Sequence, residues 1–518
     1  MEGSIAPHVA LGERDSARAR ILPSERTTGG RHATRTRDRP HMIGVTAYGA
    51  YLPRFRLDRA LIARAWGRKA PAGSKAVASY DEDSLTMAVE AALDVVGDQT
   101  GGGAGDGAGI DRLYFASTTA PYAEKQVASL IATACDLPRA IAVADFAGSL
   151  RAGTTALRTA VEALAAGMAS DAVVTAADTR VGAPESDLEP ILGDAAVALR
   201  LGRGGVLAEF VGAASVAEEF THLWRTEGQR YVQAFEGRFS TSYGYGRDLL
   251  EAASTVLRQA EVPPARLAAL AIGAPDARAA MDLAKRLGCE PGVFDGRLID
   301  RVGITGTPDP LLGLALALPG AAPGDFILVG SAGEGADALL FRATDRVRAY
   351  RAVHDLEGQI DGGTPLASYE KYLKYRRVLP PEPVGEPITN VLEFQELRQD
   401  VRLYGSRCTE CGLVQYPMAR VCIGCRARDR LVEHKLGRRG TVFTYTIDHL
   451  FPTVELPLPM AVIDLEHGGR LYLQVADASP EEVTIGAPME LCFRRLHEGG
   501  GNYNYFWKAK PLRYARPA

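Results

Sequence analysis

From Met42 to about residue 350 the chain presents the order strand, helix, helix, strand, strand twice, and this duplication restricts the fold more than any other feature. In the first copy the apolar run RLYFASTTAP (112–121) ends in small residues and leads into a helix through Ala134. AGTTALRTAVEALAAG (152–167) is a second helix, and DAVVTAADT (171–179) and DAAVALRLG (194–202) are buried strands. In the second copy LAALAIGAP (267–275) leads to the helix ARAAMDLAKRLG, LLGLALAL (311–318) is helical, and DFILVGSAG (325–333) and ADALLFRA (336–343) are strands. Strands this continuously apolar, bounded by amphipathic helices, belong to sheets covered on both faces. Two such halves back to back give a layered α/β architecture with a pseudo-two-fold axis. Strand ends and helix N-termini of both halves then face one shared cleft. The turns STTAP, GSLRAGT, GAPDA, GITGT and GSAGEG all fall at those ends.

The 518 residues leave room for roughly three domains. A net charge of -4 supplies no field for nucleic acid or an anionic membrane, so a polyanion-binding role is disfavoured. The most apolar stretch, LLGLALAL, stops at Pro319 and Gly320, far short of the ~20 residues a membrane-spanning helix needs. Residues 1–41 carry eight arginines and no apolar block of the signal-peptide kind. They read as a disordered arm or an over-extended start before Met42, with a transit sequence as the alternative, and the protein is expected to be cytoplasmic.

After residue 350 the composition changes. LASYEKYLKYRR (366–377) reads as a closing helix and PPEPVGEP (380–387) as a semi-rigid linker. Beyond it, Cys408, Cys411, Cys422 and Cys425 form C-x2-C-x10-C-x2-C, two knuckles whose thiolates can converge tetrahedrally on one Zn²⁺. Four thiolates leave no position for water, so the metal is structural. The other cysteines, Cys135, Cys289 and Cys492, lie in apolar or element-end contexts and read as structural thiols, the first two at similar places in the two repeats. The short, evenly spaced strands TVFTYTID, MAVIDLE, RLYLQVAD, MELCFRRL and NYNYFWKA that follow suggest a small barrel.

GAYLPRFRL (49–57), IARAWG (62–67), YDEDSLTMAVEAA (80–92), DTRVGAP with LEPILGDAA (178–196) and EGRFS (236–240) make residues 42 to about 377 resemble hydroxymethylglutaryl-CoA synthase, a branch of the thiolase superfamily. The region from about 396 resembles the zinc-ribbon and OB-fold proteins that accompany thiolase-like enzymes and help bind or channel acyl-CoA. The resemblance implies a duplicated, thiolase-like layered αβαβα domain with halves 42–205 and 206–377. A linker (378–398), a zinc ribbon (399–434) and an OB-type β-barrel (435–518) would follow.

The family's acyl transfer and aldol condensation need a nucleophilic cysteine at a helix N-terminus, a glutamate as general acid and base, and a histidine that binds the thioester. By the flanking motifs, GSLRAGT puts Leu150 at the cysteine position, and STTAPY puts Thr118 at the glutamate position. IGAPD puts Gly273 at the histidine position, and Ile304 stands where the GITGT turn should hold an asparagine. Leucine, threonine, glycine and isoleucine cannot act as thiolate, carboxylate, imidazole and amide, so the family mechanism is not expected here. Ser149, beside the vacant nucleophile position, lacks a histidine in any neighbouring turn. His222 reads as a loop or core residue, Tyr243 and Tyr245 as packing that could lend a phenol to a retro-aldol step, and Asp276 and Glu334 as helix-capping carboxylates.

The resemblance therefore implies an accessory or scaffold subunit of a thiolase or acyltransferase complex. It would bind a CoA thioester with Gly330, Ser331 and Gly333 allowing close backbone approach, and it would form a homodimer or a hetero-complex with a thiolase or ketoacyl synthase. One alternative is an atypical acyltransferase or aldolase that makes or breaks a carbon-carbon bond beside a thioester without cysteine. An OB-fold RNA-binding protein is a third reading, against which the net negative charge argues.

Overall fold

The computed structural model describes residues 42–97, 109–379, 390–499 and 501–515. The arm of residues 1–41 and the PPEPVGEP stretch lie outside the described residues. In the first region nine strands form one sheet: β1 (Gly44–Tyr51), β2 (Arg112–Ala116), β3 (Ala142–Phe146), β4 (Ala172–Thr179), β5 (Asp194–Gly202), β6 (Ala208–Ala217), β7 (Leu267–Ile272), β8 (Phe326–Ala332) and β9 (Gly335–Ala343). Their order is β7-β8-β9-β6-β1-β5-β4-β2-β3. The β7/β8, β2/β4 and β2/β3 pairs are parallel and the others antiparallel. The halves join where Gly44 and Val45 of β1 pair with Glu209 and Ala208 of β6.

All the strands and helices expected of the repeat are present. Each half also opens with a strand and a long helix, β1 with α1 (Ser84–Val96) and β6 with α4 (Gly246–Gln259), so the repeated unit is larger than the apolar runs suggested. The helices of the repeated unit that follow are α2 (Val127–Ala134) and α3 (Ala152–Ala165) in the first half, α5 (Ala277–Leu287) and α6 (Asp309–Ala317) in the second. The second half forms no counterpart of β3. There the chain reads CEPGVFDG, Pro291 and Gly292 interrupt it, and Val293 contributes only a carbonyl that accepts from Leu270 N at 2.8 Å.

Side-chain alternation along the strands assigns the layers. Tyr114 and Ala116 of β2, with Ile327 and Val329 of β8, face a central core that contains the buried faces of α3 and α6. Leu113 and Phe115 face α1 and α2 on one outside. Leu328, Leu270 and Ile272 face α4 and α5 on the other. Five layers result, helix, sheet, helix, sheet, helix, and the ends of α3 and α6 are brought to the cleft between the halves.

The closing helix is shorter than expected, Tyr369–Tyr375. The stretch read as a linker carries a further helix, Asn390–Asp400. Three short strands, Tyr404–Cys408, Val414–Gln415 and Leu431–Lys435, hold the cysteine knuckles. Then come β10 (Arg439–Asp448), β11 (Leu458–Leu465), β12 (Arg470–Gln474), β13 (Pro488–Gly499) and β14 (Asn502–Pro511), ordered β12-β11-β10-β13-β14. The sheet curls, and its edges meet in a single bridge between Val475 and Ala509. The expected barrel is thus a five-stranded curled sheet without a continuous closing ladder.

That sheet explains an oddity of α1. Asp83 and Thr86 cap the helix reciprocally, Thr86 N donating to Asp83 Oδ1 and Asp83 N to Thr86 Oγ1, both at 2.9 Å. Yet all thirteen of its residues are buried, Glu90 and Asp94 included. An outer helix of a layered α/β fold ordinarily keeps a wet polar face. Here β13 and β14 cover it. Glu90 pairs with Lys510 and accepts from Phe493 N at 3.0 Å, while Asp94 and Glu490 clasp His354 at 2.8 and 3.2 Å.

Candidate active site and zinc centre

Two adjoining cavities occupy the cleft. The larger, about 600 Å³, is lined by Leu150 from the first half, Tyr245, Gly273, Ile304 and Asp309 from the second, and the 331–335 turn. The smaller, about 400 Å³, holds Thr118, Ser149, Arg180 and Arg225. Leu150, His222, Leu223, Gly333 and Glu334 line both, so Leu150 stands at the junction. Three of the four positions named by the flanking motifs therefore share one cavity, and the fourth, Thr118, lies in the next.

Leu150 precedes α3 on a rigid turn. The following Arg151 donates from Nη2 and Nε to Asp337 at 2.7 and 3.1 Å, and from Nη1 to the carbonyls of Val216 and Glu334. Burial works against the Asp337 charge, but Arg151 and Ser215 Oγ outweigh it and hold the carboxyl below its ordinary value. Ser331 Oγ donates to Leu150 O at 3.0 Å. A Cβ on Gly333 would fall 2.8 Å from Ser149 Oγ, so glycine is what lets the two turns touch. Ser331 and Gly333 reach the cavity. Gly330 does not line it: it packs in β8, where a Cβ would meet Leu249 Cδ1 at 2.9 Å.

A second buried carboxylate ties the opposite turns. Asp178 Oδ1 accepts from Ser117 Oγ, Thr118 N, Thr118 Oγ1 and Thr119 Oγ1, and its Oδ2 accepts from Thr307 N and Oγ1, all between 2.7 and 3.1 Å. Gly306, at φ +87°, passes so close that a Cβ would lie 2.7 Å from Asp178 Oδ2. Thr118 is thereby spent on structure.

The sequence reading missed Asp309. It opens α6, where an acidic residue reads as helix-terminal complementarity, yet it lines the cavity opposite Gly273, whose ideal Cβ lies 3.9 Å from Asp309 Oδ2. Burial pushes its carboxyl up to about 6 against the opposing hydrogen bonds from Thr305 and Gly306.

Tyr245 and Tyr243 part company. Both belong to a wide π-helical turn, Ser240–Tyr245, that opens α4. Tyr243 is exposed and packs on Phe239, ring centroids 4.7 Å apart, while Tyr245 is buried in the cavity wall. Among the described residues Tyr245 Oη, Asp248 Oδ2 and His222 Nδ1 find no hydrogen-bond partner. Burial raises the Tyr245 phenol well above its ordinary value. Burial, then the Arg180 charge, keeps the His222 imidazole below its ordinary value and therefore neutral near pH 7. His222 also shares the smaller cavity with Ser149, a proximity that sequence separation hid. Ser149 Oγ itself accepts from Arg151 N at 3.3 Å and donates to Gly333 O at 3.5 Å. Asp276 caps α5 by accepting from Ala279 N at 2.7 Å, as expected, though it too lines the larger cavity.

In the ribbon, Sγ of Cys408 lies 3.6 Å from that of Cys425, Sγ of Cys411 lies 3.6 Å from that of Cys422, and all four fall within 4.8 Å of one another. A tetrahedral ion at about 2.3 Å from each sulfur needs edges of roughly 3.8 Å. The thiols fit such an ion. Cys135 and Cys492 are buried and Cys289 half-buried. Cys135 and Cys289 lie just past the ends of α2 and α5.

Residues 396–430 match the family described as ChsH2, rubredoxin-like zinc ribbon domain, and 433–494 the ChsH2, C-terminal OB-fold domain. The first region aligns with the hydroxymethylglutaryl-CoA synthase of Methanopyrus kandleri, 32% identical over 347 residues, which are 65% of this chain and 98% of that protein. The chain belongs to the hydroxymethylglutaryl-CoA synthase family. Another member, from Pyrobaculum neutrophilum, is 31% identical over 349 residues, 98% of its length. The family fold is visible in solved structures of MvaS in complex with 3-hydroxy-3-methylglutaryl coenzyme A (TM-score 0.55, 22% identity, 67% of this chain and 94% of that one) and of an HMG-CoA synthase complexed with CoA (TM-score 0.55, 17% identity, 64% and 90%). Within this hydroxymethylglutaryl-CoA synthase family member, no helix among the described residues is long and apolar enough to cross a membrane.

Proposed function

We propose that the chain holds acyl-CoA thioesters as an accessory or scaffold subunit of a thiolase or acyltransferase complex in the cytoplasm, with a structural zinc ion on Cys408, Cys411, Cys422 and Cys425 and no acyl-enzyme of its own. Leu150 carries this reading. It stands at the head of α3, where a thiolate would gain from the helix dipole, but offers only an isobutyl group to a cavity of about 600 Å³. Space for a ligand is kept while the nucleophile is gone. Arg180 and Arg225, in the smaller cavity, supply positive charge toward the CoA end of such a ligand. Homodimers, or a hetero-complex with a complete thiolase or ketoacyl synthase, follow as the assembly.

Intact mass after incubation with acetyl-CoA and acetoacetyl-CoA, beside a Ser149→Ala control, tests it. No covalent adduct, with measurable CoA-thioester binding, is the expected result. One acetyl unit lost in the control would make Ser149 a nucleophile and overturn the accessory reading.

Asp309 and Tyr245 favour a second reading, a cysteine-free retro-aldolase. The Asp309 carboxylate would take the β-hydroxyl proton of a β-hydroxyacyl-CoA as the Cα–Cβ bond breaks. The electron pair would pass to the thioester enolate, and Cα would then regain a proton to give acetyl-CoA and a carbonyl compound. Release of acetyl-CoA from a β-hydroxyacyl-CoA, abolished in Asp309→Asn, would establish it; no release with the protein and its partner together would end it.

A further inference from the structure

We infer that the larger cavity takes a bulky apolar acyl group of about ten or more carbons rather than an acetyl or acetoacetyl group; this rests on the acyl-CoA reading above and names its substrate class. Volume is the first observation. At roughly 30 Å³ per water-sized group, the six non-hydrogen atoms of an acetoacetyl group fill about 180 Å³. The cavity measures about 600 Å³, in the range that buries drug-sized ligands.

The second observation is what fills the positions of the lost reagents. Leu150, Gly273 and Ile304 carry no charge or hydrogen-bonding side-chain group, and Leu188, Leu192 and Leu223 extend the apolar lining, with the Asp309 carboxyl facing Gly273 among them. An aromatic group forms one wall. Phe220 stacks on Phe239 at 5.6 Å, and Phe235 meets Phe239 edge-on at 6.5 Å. Phe235 and Phe239 are exposed, so apolar surface lies open beside the cavity where an apolar ligand would cover it.

The third observation is the division of the cleft. The smaller cavity, with Ser149, Thr118 and two arginines, suits the pantetheine arm instead, which sets the thioester at the Leu150 junction.

Calorimetry with free CoA, acetyl-CoA and submicellar decanoyl-CoA on the full chain tests the assignment. Each fully buried methylene is worth about fourfold in affinity, so decanoyl-CoA is expected to bind at least about a hundredfold tighter than acetyl-CoA. Ala234→Trp, at an exposed position on the cavity rim, should cut that preference by about tenfold or more. Equal affinities for the two thioesters in the unmodified protein overturn the bulky-acyl assignment and leave the acyl-CoA reading in place. Failure of CoA and both thioesters to bind overturns the acyl-CoA reading itself, and the assignment with it.

Discussion

Tyr245 and Asp309 separate what a residue does for stability from what it does for function. The Tyr245 hydroxyl is buried without a partner, so Tyr245→Phe removes a desolvated group and should leave the ligand-free protein unchanged or more stable by up to ~1 kcal/mol in urea titrations. Acyl-CoA affinity should be unaltered in the same variant, since the hydroxyl has no surface for a ligand to reach. A loss of stability would instead make the hydroxyl structural. Asp309 predicts a pH dependence. Its carboxyl is raised from 3.8 to about 6, so the native state binds the extra proton, and stability falls as pH rises from 3.8 through about 6. Asp309→Asn should therefore melt closer to the wild type at pH 4 and above it at pH 7. Leu150, Gly273 and Ile304, the positions named by the flanking motifs, line one cavity, because a short turn fixes where its residues go. Asp309 was illegible, since an acidic residue at a helix start has the same sequence whether its carboxylate meets solvent or a cavity.

Among the elements, α1 shows how far composition can mislead. Its Glu90 and Asp94 mark a solvated face by the usual rule, yet β13 and β14 lie over them and supply Lys510 and Phe493 N. Lys510→Met leaves Glu90 buried without its cation and should cost about 3 kcal/mol in chemical denaturation; adding Glu90→Gln should recover most of it. If the double variant stays as weak as the single one, the pair is not what holds the helix against the sheet. The four cysteines of the ribbon were legible, because C-x2-C spacing fixes the geometry of each knuckle. Metal analysis should find one zinc per chain, and chelation should unfold residues 396–430 before the α/β domain. Substoichiometric zinc in folded protein would refute the assignment. The Asn390–Asp400 helix went unread, as its Val391, Leu392 and Phe394 are exposed and form no single buried stripe.

For the whole molecule, the bond between the α/β domain and the C-terminal sheet is partly ionic and titratable. Burial works against charge on His354, but Asp94 and Glu490 outweigh it and push the imidazole up to about 9. Burial would also raise Glu490, and the hydrogen bond from His354 with the charge of Lys510 holds it well below its ordinary value. The raised histidine contributes stability that is complete below 6.5 and lost as pH rises through about 9; the depressed glutamate contributes above 4.5 and loses this only in stronger acid. The junction should thus be firmest between about 4.5 and 6.5 and loosen through about 9. Hydrogen exchange across β13 and β14 should speed up over that upper range, and His354→Gln should flatten the dependence. An unaltered pH profile in the variant would remove His354 from the account.

The sequence alone determined the duplicated strand-helix order, the turns that meet at the cleft and the four thiols of the ribbon, because alternation, helical period and short-range spacing are local properties that no distant contact has to complete. The tertiary structure alone decided that α1 is buried on both faces, that His222 enters the cavity of Ser149, and that Asp309 and Tyr245 line one apolar chamber with Leu150. Those features depend on which surfaces are brought together across hundreds of residues, and burial, which sets their charge states, exists only once the chain has folded.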